Sequence, residues 1–250
     1  MNRKLLVLSS TLISSIPLLA QPALDKPAID TTQPQKPPVK ADKKVVGGPR
    51  IAFLRVLHAI PNGPAVDVYA GATKVASNLK FKSFSDYIEI KSGKNTFKVV
   101  GAGKTEPVIV TDTATATRGR YFTLAIHGKQ TASLLLVGDS LGKANPAKAR
   151  VRFVHLSPGA PAIAVTTPST RNKAGFARFV TKPLGHGKTA SKLAKPATLK
   201  LQIRDSDGKI IKETPDVNLE AGKRYGVYAV GEIGNTGVGA FDVLIQPAAR

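Results

Sequence analysis

The chain has 250 residues, no cysteine, no tryptophan, and a formal net charge of +21 from 37 Lys and Arg against 16 Asp and Glu. The missing thiol excludes a lipidated cysteine, disulfides, thiolate metal sites and a cysteine nucleophile, so the fold must be stable through its apolar core. The missing indole argues against a stacking site for neutral sugars, and a charge excess of one sign and this size attracts polyanions.

In chain order, Asn2-Arg3-Lys4 is a short basic segment, residues 5–19 are apolar but diluted by serine, and Ala20 is a small residue suited to cleavage. This pattern predicts a secretory signal over 1–20, too short and serine-rich for a membrane span. No Arg-Arg pair is present, which points to the general secretory route and a secreted or periplasmic product with no transmembrane anchor after cleavage. Residues 21–48 alternate Pro22, Pro27, Pro34, Pro37 and Pro38 with Gln, Thr, Lys and Asp. Proline blocks regular pairing, so a disordered Pro- and Lys-rich linker is expected there.

The remainder reads as short strands. A first unit over 49–142 has candidates at 51–57, 65–69, 87–91, 96–100, 107–111, 121–127 and 133–137, separated by turns rich in Gly, Asn and Lys. A second unit over 147–250 has candidates at 151–155, 162–166, 176–180, 198–204, 210–212, 225–230 and 241–245. Within it, 167–195 reads as an exposed loop region around the short strand 176–180, and Ser206-Asp207-Gly208-Lys209 reads as a hairpin turn. No stretch has sustained helical periodicity. Residues 219–225, ending on Tyr225, resemble a tyrosine corner, and Gly119-Arg120-Tyr121 is a shorter version in the first unit. The expected fold class is all-β: two tandem immunoglobulin-like antiparallel β-sandwiches after a signal peptide and linker.

The two units share a motif. Arg55, His58, Pro61, Pro64 and Ala65 return with identical spacing as Arg152, His155, Pro158, Pro161 and Ala162, which indicates a duplicated module. The string from Arg55 to Tyr69, through Pro64-Ala65-Val66-Asp67-Val68, resembles the opening motif of the bacterial domain-of-unknown-function family 4397. Phe84-Ser85-Asp86-Tyr87 and the Ser92-Gly93 that follows resemble its middle motif. The second copy is degenerate, with Ala164 and Thr166 in place of Asp67 and Tyr69 and no Ser-Asp-Tyr near 184–188. The resemblance implies a β-sandwich module on an exported or envelope protein and carries over no catalytic residue.

Candidate chemistry is sparse. His58 and His155 could act as ligands or bases, but a turn with two prolines has few N–H donors, so a strand-ending histidine serves it as a structural clasp. Asp67, Asp86 and Glu89 lack the spacing of a calcium loop, so neither a metal nor another cofactor is expected. Ser140-Leu141-Gly142-Lys143 lacks the partner motifs of a serine nucleophile, and the Gly-x-Gly-Lys-Thr strings at 101–105 and 185–189 precede no helix pattern. Charge is the sharper signal. Between Ser140 and Arg204 there is no acidic residue, while Arg171, Lys173, Arg178, Lys182, Lys188, Lys192 and Lys195 crowd one stretch. The expectation is a non-catalytic, envelope-associated binding or structural module that adheres to anionic glycan or lipid headgroups. No nucleic-acid reading motif appears. Two alternatives remain open: a hydrolase using His58 with Asp67 or Asp86, and an assembly module pairing through exposed edge strands.

Overall fold

A computed structural model describes residues 50–139, 145–171 and 173–248. The expected signal segment and linker lie outside these residues. The described part falls in one compact unit and is built from strands with a single 3-10 turn at Gly237–Gly239.

The first sandwich contains β1 (Ile51–His58), β2 (Val66–Ala70), β3 (Thr73–Leu79), β4 (Ile88–Lys91), β5 (Gly93–Gly101), β6 (Val108–Ala116), β7 (Tyr121–Gly128) and β8 (Ala132–Gly138). Its two sheets have the orders β4-β1-β7-β8 and β3-β2-β5-β6. The second contains β9 (Ala149–His155), β10 (Ala164–Pro168), β11 (Phe176–Arg178), β12 (Thr189–Ala194), β13 (Ala197–Leu199), β14 (Gln202–Arg204), β15 (Ile210–Glu213), β16 (Val217–Leu219), β17 (Arg224–Val230) and β18 (Asp242–Pro247). Its sheets repeat the plan as β12-β9-β17-β18 and β11-β10-β14-β15, with β13-β16 as an added ribbon. Pairing between these strands is antiparallel except at one place in each sandwich: β1 with β7, and β9 with β17, run parallel.

Several expectations are corrected. The segment at 198–204 is two strands, β13 and β14, in different sheets, because the chain crosses between layers at buried Leu201. The region at 167–195 is not all loop, since β12 pairs with β9 over six register partners. Strand β3 also went unread: register shifts in its pairing with β2, together with a left-handed Asn78 (φ 49°), place Val75 and Ala76 inward together and break the alternation.

Each sandwich encloses its own core. Ala52, Leu54, Val56, Phe97, Phe122 and Leu124 anchor the first; Val151, Phe153, Ile163, Ile203, Tyr225 and Val227 anchor the second. A third cluster joins them: Leu57, Ala59, Ala125 and Val137 from the first against Val154, Leu156, Tyr228 and Val230 from the second. The sheets containing β1 and β9 are therefore buried on both faces, which explains why β1, β7, β9 and β17 read as near-continuous apolar runs while outer strands alternate.

Gly226 shows how tight this seam is. A Cβ there would lie 2.6–2.9 Å from the ring and hydroxyl of Tyr228, which is fully buried and cannot swing aside. Gly226→Ala is expected to destabilise the fold by about 1–3 kcal/mol, read as a lower denaturation midpoint. An unchanged midpoint would show that the seam relaxes freely.

Candidate functional site

The duplicated motif forms two equivalent clasps. His58 ends β1 at 0 % exposure; its Nε2 lies 2.9 Å from the Pro64 carbonyl oxygen, and its Nδ1 accepts the Ile60 N–H at 3.2 Å. His155 does the same at the end of β9, with the Pro161 carbonyl at 3.1 Å and the Ser157 N–H at 3.3 Å. Each imidazole thus spans a Pro-x-x-Pro turn that is poor in N–H donors. Both turns pass through the left-handed region at the residue after the first proline, Asn62 (φ 54°) following Pro61 and Gly159 (φ 70°) following Pro158, the two residue types that adopt it readily. Burial pushes both histidines down, His155 to about 4 against the raising effect of its carbonyl partner.

Asp67 is also structural. Its carboxylate accepts bonds from Lys74 Nζ at 2.7 Å, the Asn78 N–H at 2.8 Å and the Gly103 N–H at 3.2 Å, tying β2 to β3 and to the turn after β5. The Lys74 bond first, then the backbone N–H, hold it down at about 2. On the same strand, Tyr69 carries Lys74 and Lys98 ammonium groups, each 5.4 Å from its ring centroid. Tyr121 stacks on Phe53 at 4.4 Å, and the Tyr225 hydroxyl accepts the Glu220 N–H at 3.0 Å, the geometry of a tyrosine corner. Both ring nitrogens of His58 and the carboxylate of Asp67 are therefore engaged with separate partners, and Asp86 sits exposed beside Tyr87. The structure does not bring these groups together as an acid–base pair.

What it does bring together was not read from sequence. Arg55, 4 % exposed, points from β1 into the seam and is sandwiched by Phe84 and Tyr87, 5.0 and 4.8 Å from its guanidinium carbon. Its Nε donates to Thr123 Oγ1 at 2.8 Å and lies 3.6 Å from Asp139 Oδ2. Its other nitrogens reach the Pro247 carbonyl at 3.2 Å and the Tyr228 hydroxyl at 3.5 Å, both on the second sandwich. Asp139 accepts from Thr123 Oγ1 at 2.6 Å, Tyr87 at 2.7 Å and Tyr228 at 3.4 Å. Burial, then the Asp139 charge, pushes Tyr228 up to about 12, so it remains a neutral donor. A polar cleft lined by Lys82, Ser85, Asp86, Tyr87 and Gln246 opens onto this arginine. The signal that could have found the network is a charged residue, Arg55, set within the near-continuous apolar run of β1.

The seam is pinned elsewhere by ionic and imidazole contacts. Lys129 pairs with Glu232 at 2.8 Å, and Lys82 lies 3.5 Å from Asp242. Buried His127 on β7 has its Nδ1 3.3 Å from Nε2 of exposed His186, whose ring also faces His155. Among the described residues, no group of three or more His, Cys, Asp or Glu side chains is placed to hold a metal, and no helix is long and apolar enough to cross a membrane.

The basic residues lie around one side of the second sandwich. Arg178 is on β11 and Lys192 on β12, the edge strands of its two sheets; Lys182 and Lys188 are in the connection between them, and Lys195 follows β12. Lys192 stacks over Phe179 at 4.9 Å, closing that edge. Arg171 and Lys173 sit in the loop before β11. All seven are exposed, and none takes part in an ion pair among the described residues.

No curated protein compared with the chain matches it. Solved structures do. The C-terminal domain of AlgF from P. aeruginosa is 21 % identical, with 40 % of this chain and 98 % of that one covered and a TM-score of 0.30. A putative cell adhesion protein from Bacteroides ovatus is 12 % identical, covering 79 % and 98 %, at a TM-score of 0.26. A carbohydrate-binding module from Eubacterium rectale, solved with maltoheptaose, is 10 % identical, covering 80 % and 98 %, at 0.25. Residues 52–166, from β1 into β10, match the model of the family described as "Domain of unknown function (DUF4397)", a single span that takes in both copies of the Arg-x-x-His-x-x-Pro-x-x-Pro motif.

Proposed function

We propose that the chain is an exported, duplicated β-sandwich module that adheres to anionic envelope polymers through the basic edge of its second sandwich. The observation that carries this reading is the state of that edge: seven exposed cations, none in an ion pair among the described residues, and no acidic residue in the sequence from Ser140 to Arg204. Such a surface presents an unneutralised field to phosphorylated or acidic glycans and to anionic headgroups. Arg178 on β11 and Lys192 on β12 also discourage edge-to-edge strand pairing, which favours adhesion over self-assembly along this side. The equivalent strand orders and paired histidine clasps support duplication.

The test is retention of residues 21–250 on isolated cell envelope across a salt series. Wild-type retention is expected to fall steeply with salt, and a variant with Arg178, Lys182, Lys188 and Lys192 all changed to Gln is expected to lose most retention at low salt and most of the salt dependence. Salt-insensitive retention, or unchanged retention by the variant, would overturn the reading.

A further inference from the structure

The chain carries four histidines and no cysteine. His58 and His155 have both ring nitrogens engaged in their clasps. The other two meet across the seam. His127 is buried on β7 of the first sandwich, and His186 is exposed in the connection before β12 of the second, with Nδ1 of His127 3.3 Å from Nε2 of His186. The scaffold does not require imidazoles at these places. In the first sandwich the Lys82 N–H donates to the His58 carbonyl, and the His58 N–H to the Ser83 carbonyl; in the second, Gly187 and Lys188 make the same two bonds with His155. His186 therefore stands where the first copy has Phe81, and each ring meets its clasp histidine edge-on, at 5.9 and 6.2 Å. The strand registers pair His58 with Ile126 and His155 with Ala229, so His127 matches Val230 in the same way. Phenylalanine and valine thus serve the fold at the equivalent positions of the other copy.

We infer that His127 and His186 form an exchangeable site for a divalent transition ion that favours imidazole, such as Zn²⁺. Two nitrogens bound at about 2.0–2.1 Å to one tetrahedral ion stand about 3.3 Å apart, the spacing already present here. Turning the rings aims both lone pairs at one point, and His186, exposed to water, has room to turn. In the hydrogen-bonded pair one ring donates its proton to the other; on binding, that proton moves to the donor ring's far nitrogen, so both imidazoles are neutral ligands. Burial, then the charge of His186, holds His127 at about 4, which keeps that ring neutral where a solvated imidazole is partly protonated. Two protein ligands fall short of the three or four that hold a resident zinc, so water completes the shell and the ion exchanges from the His186 side. Because the ligands come from different sandwiches, the ion clamps the seam and stabilises the folded state.

The full chain is titrated calorimetrically with zinc chloride near pH 7, with magnesium chloride as a hard-cation control, and its thermal midpoint is read with and without zinc. Saturable zinc binding and a raised midpoint are expected, with no such response to magnesium, which prefers oxygen ligands. His186→Gln and His127→Gln should each weaken zinc binding at least tenfold and remove the rise in midpoint, while Lys192→Gln on the basic edge should leave both unchanged. Absence of saturable zinc binding, equal binding of magnesium, or wild-type zinc affinity in a folded His186→Gln protein would overturn the site. Should His127→Gln fail to fold, His186→Phe, which restores the side chain of the first copy, carries the same test: retained zinc affinity there would sink the proposal, and its loss in a folded protein would support it.

Discussion

Asp139→Ala is expected to destabilise the protein by about 3–5 kcal/mol, the usual cost of leaving a buried charge without its partner. The Arg55 and Asp139 side chains are 5 % and 1 % exposed, so water cannot replace the lost carboxylate. The substitution also strips acceptors from Thr123, Tyr87 and Tyr228. Because Arg55 reaches the Pro247 carbonyl and Tyr228 on the other sandwich, the loss falls on the seam as well as on the first core. For a folded body of this size the midpoint of thermal unfolding should drop by about 10 °C. A double variant, Arg55→Met with Asp139→Leu, should recover part of the loss, since removing both charges together costs less than orphaning one. A fall of less than about 1 kcal/mol for Asp139→Ala would mean that solvent enters the seam and screens Arg55.

The local parts of this architecture were legible because their causes are local. Strands β1, β7, β9 and β17 announce themselves as apolar runs, and the histidine clasps follow from two prolines removing donors from a turn. Strand β12 was hidden because Thr189-Ala190-Ser191-Lys192-Leu193-Ala194 is an edge with only one buried residue, Ala194. Its hydrogen bonds to β9, rather than any periodicity, make it a strand. The Arg55 network was hidden for a different reason. Arg55 and Tyr228 are 173 positions apart, and Asp139 stands at the very end of the first unit, where it reads as linker. Only the packing of one sheet's outer face on the other makes these residues neighbours, and nothing in the spacing of either motif copy encodes that. The basic edge is intermediate: composition reveals the charge excess, but only the placement of β11 and β12 shows that Arg178 and Lys192 lie on the two edges of one sandwich.

Stability should fall as pH drops from 6.5 towards 4, well before carboxylates titrate. His127 and His155 are both held at about 4, each chiefly by burial, and His186 opposes a second positive charge beside them. Burial lowers His58 as well. In the unfolded chain these imidazoles take up protons near pH 6.5. Between 6.5 and 4 the unfolded state therefore binds more protons than the folded one, and the stability that neutral histidines confer above 6.5 is lost as pH falls through that window. The loss should reach about 3 kcal/mol each for His127 and His155. Asp67 extends it further down: its carboxylate is held at about 2, so its contribution is complete above about 4 and disappears between 4 and 2. Denaturant midpoints at pH 7, 5.5, 4 and 3 should trace this descent. His155→Gln, which can still donate to the Pro161 carbonyl, should flatten the upper window while leaving the lower one intact. Because His127 and His186 meet across the seam, a probe of sandwich–sandwich contact such as the environment of Tyr228 should respond in the same upper window. A midpoint that stays constant from pH 7 to 4 would show that the histidines are reached by water and that the seam is looser than its packing implies.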